Sequence, residues 1–242
     1  MNLYNLKYKM FGERSILVEW PQQINNNILQ NILSFKNELK KIYCEKIYAK
    51  NSYNSLLVSF PNKINTSNII FEFDGIYKKL KYVKKQIYKC WEIPVCYEIE
   101  FGKDLIFLKK QLSIDIDEII LLHTSNEYKV FNIGFLPGFL YLGGLNKKIH
   151  YPRKNKPDLY IEKGSVGIGG GQTGIYPNES PGGWNIIGKT PIELFNSEKK
   201  RPCFINPGDN IKFTPISKKK FSLIKNLVEA DEYKIKKTMI ND

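Results

Sequence analysis

A chain of 242 residues that is 42% hydrophobic and 13% aromatic can bury one large core or two smaller ones. No apolar run reaches the roughly 18 residues of a membrane span, and the first fifteen residues lack the apolar centre of a secretion signal, so a cytoplasmic protein with no membrane partner is expected. A net charge of +13 would suit nucleic acid, but the lysines are scattered among abundant Asn and Ile, as a biased codon usage produces. Lys78, Lys79, Lys81, Lys84, Lys85 and Lys218 to Lys220 fall in no nucleic-acid motif, so the charge reads as solubility and no nucleic-acid partner is expected.

Four cysteines stand at Cys44, Cys90, Cys96 and Cys203 without a CxxC pair, which argues against zinc and for reduced, mostly buried thiols. His123 and His150 are too few and too far apart for a histidine metal site, so no metal centre is expected.

In chain order, Ser15 to Trp20 reads as a strand stopped by Pro21. Ile24, Ile28, Ile32, Phe35 and Leu39 then recur at helical spacing. Lys46 to Ala49 and Ser55 to Phe60 read as two strands around a polar turn. After Pro61, Ile69, Phe73, Ile76, Leu80 and Val83 mark one face of a second helix, and a strand follows near Lys89 to Cys96. The order β-α-β-β-α-β predicts a ferredoxin-like domain over residues 1–92, with both apolar stripes packed on its sheet. Nothing in this half points to catalysis, so it reads as scaffold or docking surface.

The character changes near Ile93-Pro94. Asp104 to Leu112 and Ser113 to Leu122 predict two short helices, with Ser113 as N-cap of the second. His123 follows as a C-terminal cap. Short strands broken by Gly and Pro come next, the pattern of a β-barrel or sandwich over residues 93–242. The lysine-rich stretch from Lys218 reads as a helix or tail. The fold class expected is α+β.

Thirteen of the 17 glycines lie between Gly134 and Gly188. Glycine loses more backbone entropy on folding than any other residue, so this density implies turns or close approach of backbone. Two nucleotide-like patterns occur there. Gly169 to Gly174 fits GxGxxG, but Ile175-Tyr-Pro-Asn-Glu-Ser-Pro-Gly-Gly183 follows, and its prolines and glycines exclude the helix a dinucleotide site needs. Gly183 to Thr190 fits GxxxxGK[ST], but Trp184-Asn-Ile-Ile187 is bulky and β-prone and Pro191 follows directly, so it reads as a strand and not a P-loop. No GxSxG, HExxH or paired DxD motif is present.

The stretches GFLPGFLYLGGL, YPR, GSVGIGGGQTGIYPNESPGGWNIIGKTP and NPGDNIKF resemble the family of 5-oxoprolinase B subunits, also called the KipI family or allophanate hydrolase subunit 1. The likeness is tightest from about His123 to Ile216. It implies a cyclophilin-like β-barrel for the second domain. It further implies ATP-dependent opening of 5-oxo-L-proline to L-glutamate, with ATP as co-substrate of a complex containing subunits A and C. The family often carries Arg at the place of Lys189, which does not suit a phosphate-cradling lysine. Two other readings stay open: an inhibitor of a sensor histidine kinase, as the KipI name implies, and a carboxyltransferase-like module of urea or allophanate metabolism.

Polar residues on the glycine-rich frame form the candidate site. Arg153 can grip a carboxylate bidentately, and the Gln172 amide donates and accepts as a lactam requires. Thr173, Tyr176, Ser180 and Asn185 complete the substrate-binding set, and Glu179 and His123 are the candidate acid–base groups. Turn chemistry is the alternative for each of them singly, including a Glu179–Arg153 pair bracing the barrel. Phe139, Tyr141 and Trp184 read as exposed aromatics fit for a subunit interface, with core packing the alternative for Phe135 and Trp184.

Overall fold

The computed structural model describes residues 3–80 and 87–241. Val83 of the expected helical stripe, and Lys81, Lys84 and Lys85 of the scattered lysines, lie outside the described residues. The chain separates into two compact units, one reaching Gln86 and the other running Ile87–Asn241.

The first unit opens with a hairpin of β1 (Lys7–Met10) and β2 (Ser15–Glu19). Helix α1 (Asn26–Tyr43) follows, with the Asn25 side chain accepting from the Asn27 N–H at its start. Next come β3 (Tyr48–Asn51), β4 (Ser55–Ser59) and α2 (Thr66–Lys78), the last capped by Asn65. The antiparallel sheet has the order β1-β2-β4-β3. Ile28, Ile32, Phe35 and Leu39 of α1 are buried with Phe73 and Tyr77 of α2 against Ile16, Val18, Leu56 and Val58, whereas Ile24 precedes the helix and stays exposed. Buried Asn31 accepts from Trp20 Nε1 at 2.8 Å and Tyr77 Oη at 2.9 Å, so three polar groups are satisfied inside the core.

The ferredoxin-like expectation fails at one strand. The segment Ile87–Cys96, β5, does extend, but it pairs in the second unit's sheet. In the first sheet the place beside β2 is taken by β1, which its short polar sequence did not reveal. A boundary at 92/93 falls inside β5.

In the second unit β5 leads to α3 (Leu105–Leu112) and α4 (Ile116–Thr124). Ser113 is not the N-cap of α4. It ends α3 in the left-handed conformation, φ 55°, and Asp115 precedes α4. The strands are β6 (Glu127–Ile133), β7 (Leu140–Gly143), β8 (Asp158–Ile161), β9 (Ser165–Gly169), β10 (Gln172–Ile175), β11 (Ser180–Gly182), β12 (Asn185–Lys189) and β13 (Asn210–Ile216). Helix α5 (Lys218–Glu229) and strand β14 (Lys237–Asn241) complete it. The main sheet runs β12-β9-β10-β7-β6-β13-β5-β14, and a further β12–β5 pairing at Lys189↔Cys96 closes seven of these strands into a barrel. β14 pairs only with the first half of β5, and β8 and β11 form a separate ribbon. Inward residues such as Val95, Tyr128, Leu142, Ile168, Ile211 and Phe213 fill the barrel. Among the described residues, no helix is long and apolar enough to cross a membrane.

The NPGD turn fastens the barrel. Asp209, 2% exposed, accepts from the Lys89 N–H (3.0 Å), Trp91 Nε1 (3.0 Å) and the Asn206 N–H (3.0 Å). A buried carboxylate holding three donors costs little only while all three are present. Asp209→Ala is therefore expected to lower the unfolding free energy of the second unit by about 3 kcal/mol or more. Urea titration followed at that unit's tryptophans checks it; an unchanged midpoint would remove the clamp.

Candidate functional site

Strand alternation gives the β9–β10 hairpin two unlike faces. Val166, Ile168 and Ile175 enter the barrel core. On the other face stand Gly167, Gly169 and Gly174, with Gly174 directly opposite Gly167 and Tyr141, and Gln172 opposite Gly169 and Gly143. A Cβ at Gly169 would come within 3.1 Å of both the Trp184 ring and Arg153 Cγ, and one at Gly174 within 2.6 Å of the Leu140 carbonyl and 3.0 Å of Trp184. These glycines are small because an indole lies flat on the backbone.

The Trp184 ring is 5.5 Å from Phe139 and 6.0 Å from Tyr141, both edge-on, and Tyr176 meets Phe139 at 5.0 Å. Phe139, Tyr176 and Trp184 are buried and Tyr141 half-buried. Phe139 and Trp184 are thus internal packing and not free interface anchors. Phe135 is 65% exposed at a positive φ of 64°, a conformation that costs a bulky residue energy.

Arg153 is exposed and its guanidinium lies 5.3 Å from the Trp184 ring, close enough for a cation–π contact. Its charge also acts on Tyr141 and Tyr176. Burial raises both hydroxyls, Tyr176 to about 12, and Arg153 offsets part of that rise. Arg153 overlies Gly169, and Gln172 shares that face by register. The fold therefore brings Arg153, Gln172, Tyr141 and Trp184 onto one surface. Tyr141 was expected only as an interface aromatic; its alternation with Leu140 and Leu142 was the available clue.

The other expected residues lie elsewhere. Thr173 points inward and is fully buried. Its hydroxyl donates to the Gly167 carbonyl at 3.0 Å, so its oxygen accepts from His123 Nε2–H at 2.8 Å. That leaves His123 Nδ1 to accept from Tyr97 Oη at 2.8 Å. His123 also stacks on Phe213 at 4.6 Å. It sits inside the last turn of α4 and caps nothing; burial pulls its pKa down to about 3, so it is a neutral core imidazole. Asn185 is buried, donating to the Pro152 carbonyl (2.9 Å) and the Ile168 carbonyl (3.3 Å). Ser180 is buried on the β8–β11 ribbon. Glu179 is exposed and accepts from Tyr160 Oη at 2.6 Å, so its hydrogen-bond donor is Tyr160 and not Arg153. It lines a depression of about 440 Å³ with Lys189, Glu162 and Lys225, on a wall that Arg153 does not share.

Both nucleotide patterns are strand. GxGxxG spans the end of β9, its tight turn and β10, and no helix follows. In the GxxxxGK[ST] stretch, Asn185–Lys189 is β12, the Ile186 N–H is bonded to Asp104, and Lys189 pairs with Glu162. No backbone cradle for phosphate exists there. Among the described residues, no three His, Cys, Asp or Glu side chains gather as a metal site would need.

His123 makes stability depend on pH. Its folded pKa of about 3 lies below the unfolded value near 6.5, so between them only the unfolded chain takes the proton. Stability is then complete above about pH 6.5 and falls as pH drops toward 3. The wild type is expected to lose stability already between pH 6.5 and 5, where most carboxylates stay ionised, and His123→Gln to have a flatter profile there. Equal slopes for the two proteins in denaturant titrations would contradict the buried neutral imidazole.

Comparison with known proteins places this geometry. Residues 6–205 match the family model described as carboxyltransferase domain, subdomain C and D. The chain is 48% identical over 134 residues to the 5-oxoprolinase B subunit of Bacillus subtilis (strain 168), covering 55% of this chain and 56% of that one. It is 44% identical over 124 residues to the 5-oxoprolinase B subunit of Escherichia coli O157:H7, covering 51% and 57%. The chain thus spans little more than half the length of these relatives. In fold it is like the urea amidolyase of K. lactis, with a TM-score of 0.84 at 21% identity, over 99% of this chain and 16% of that one.

Proposed function

Since the chain belongs to the family of carboxyltransferase domains, subdomains C and D, we propose that it works as the B subunit of an ATP-dependent 5-oxoprolinase, opening 5-oxo-L-proline to L-glutamate together with subunits A and C. The observation that carries this reading is the identity of 44 to 48% with curated B subunits. The Arg153 surface gives it chemical content.

A five-membered lactam is a poor electrophile, and phosphorylation of its amide oxygen by ATP supplies both an electrophilic carbon and a leaving group. The Gly183–Thr190 stretch is unsuited to hold the phosphates, being a strand whose lysine is already paired, so no phosphoryl step is assigned to this chain. Its own residues bind and orient. The Trp184 face fixes the plane of the Arg153 guanidinium, leaving its donors for the substrate's carboxylate. Gln172, on the same face, matches the lactam's N–H donor and carbonyl acceptor. Holding both ends of a small ring orients the amide for attack. Buried His123 and Thr173 support the hairpin from beneath. Glu179 lies on a different wall, so no step is assigned to it.

In the assembled complex, Arg153→Ala is expected to raise KM for 5-oxoproline about ten- to hundredfold, as a lost charge-assisted contact implies. Arg153→Lys should recover little, because an ammonium does not stack or fork. Glutamate release at varied substrate, with melting curves as a folding control, measures this; an unchanged KM would remove Arg153 from the site. The chain without its partners is expected to be inactive and to co-purify with the C subunit on co-expression. ATP-dependent glutamate release by the chain alone would refute the dependence on subunits A and C.

A further inference from the structure

The Arg153–Trp184 pair joins two loops, and one carboxylate reaches both. The Lys154 N–H donates to the Gly183 carbonyl at 2.7 Å, which sets Arg153–Lys154 beside Gly183–Trp184. On the outer side of this pairing sits Asp104, just before α3, with its side chain only 14% exposed. Its Oδ2 accepts from the Ile186 N–H at 2.7 Å, and its own N–H donates to the Ile186 carbonyl at 3.0 Å. Its Oδ1 accepts from Lys154 Nζ at 2.9 Å. Gly102 allows this docking, since a Cβ there would meet the Ile187 carbonyl at 2.6 Å. Lys154 Nζ also reaches Asp158 Oδ2 at 2.8 Å, and Lys103 Nζ meets the same oxygen at 3.0 Å.

We propose that Asp104 is a positioning residue for the substrate's carboxylate: it fixes β12 through Ile186 and the Arg153 loop through Lys154, and so holds the guanidinium over the indole. This inference rests, for its substrate, on the reading of Arg153 given above. The pair is partly screened from water, and its ammonium has a second carboxylate in Asp158, so Asp104 acts through direction more than through net charge. A one-ångström drift of Arg153 would be felt chiefly as weaker substrate binding.

Two measurements test it. The first needs no activity. The chain has three arginines, Arg14, Arg153 and Arg201, and the other two are exposed. Protons held over an indole are shielded, so the Arg153 Nε–H resonance should be displaced from those of Arg14 and Arg201. It is identified by its loss in Arg153→Ala. In the full chain, Asp104→Ala is expected to bring this resonance back toward the other two, and Lys154→Met to do so in part. Lys154→Arg should retain the displacement. An unmoved resonance in folded Asp104→Ala overturns the proposal. If Asp104→Ala does not fold, Asp104→Asn gives the same readout, because it keeps shape and an acceptor for Ile186 while losing the charge facing Lys154.

The second is a double-mutant cycle in the complex. Asp104→Ala is expected to raise KM about tenfold with kcat little changed, and to add nothing once Arg153 is Ala. Additive effects overturn the positioning role. Should Arg153→Ala itself leave KM unchanged, the substrate reading fails while the resonance still decides whether Asp104 positions Arg153.

Discussion

An indole pressed onto bare backbone is the contact from which the rest of the second unit follows. Trp184 needs Gly169 and Gly174 without side chains beneath it, and any Cβ there would strike the ring or the neighbouring strand. Such contacts sit at van der Waals distance, where small displacements forfeit much of the attraction. The arrangement explains why glycine is concentrated in sheet, where it is otherwise costly. Phe139 and Tyr141 meet the indole edge-on, and Tyr176 backs Phe139, so the exposed Arg153 above it inherits a fixed platform.

The same hairpin is held from its other face by different chemistry. The chain Tyr97–His123–Thr173–Gly167 is fully satisfied in a single arrangement of protons. A buried polar network of this kind specifies one register, since a slip of one residue would leave each member unpaired. The two faces thus divide the work. Shape complementarity sets the outer surface and hydrogen-bond satisfaction sets the inner one.

Much of the architecture was legible in the sequence because it is written in periodicity. The stripes Ile28–Ile32–Phe35–Leu39 and Ile69–Phe73–Ile76 mark α1 and α2, and the prolines around Trp184 exclude both nucleotide motifs. What escaped were partnerships. Nothing in Ile87–Cys96 says which sheet it joins, because a strand's local pattern is the same whichever neighbour pairs with it. Strands β1 and β14 are short, lie on edges and carry only two apolar residues each, too few to mark a strand. At the candidate site, Arg153 and Gln172 came out of motif chemistry and share a surface. His123 and Thr173 were chosen for polarity, but polarity does not distinguish a site residue from one satisfied in the core; Asn185 is bonded there through its Nδ2 alone. Asp104 was invisible because its partners, Lys154 and Ile186, lie 50 and 82 residues away.

Strand β5 has a further consequence, for the order in which the chain can acquire structure. It pairs in parallel with Asn210–Ile216, touches Lys189, and takes Lys237–Asn241 on its other side. All of these lie roughly a hundred residues or more downstream. During synthesis the first unit has its whole sheet and both helices available before β5 is made, and its contacts are local. The barrel must wait for β13, and loop closure over that distance is slow. Until then β5, rich in Trp, Ile, Val and Cys, is an unpaired apolar edge on a nascent chain, the kind of surface that chaperones and misassembly both exploit.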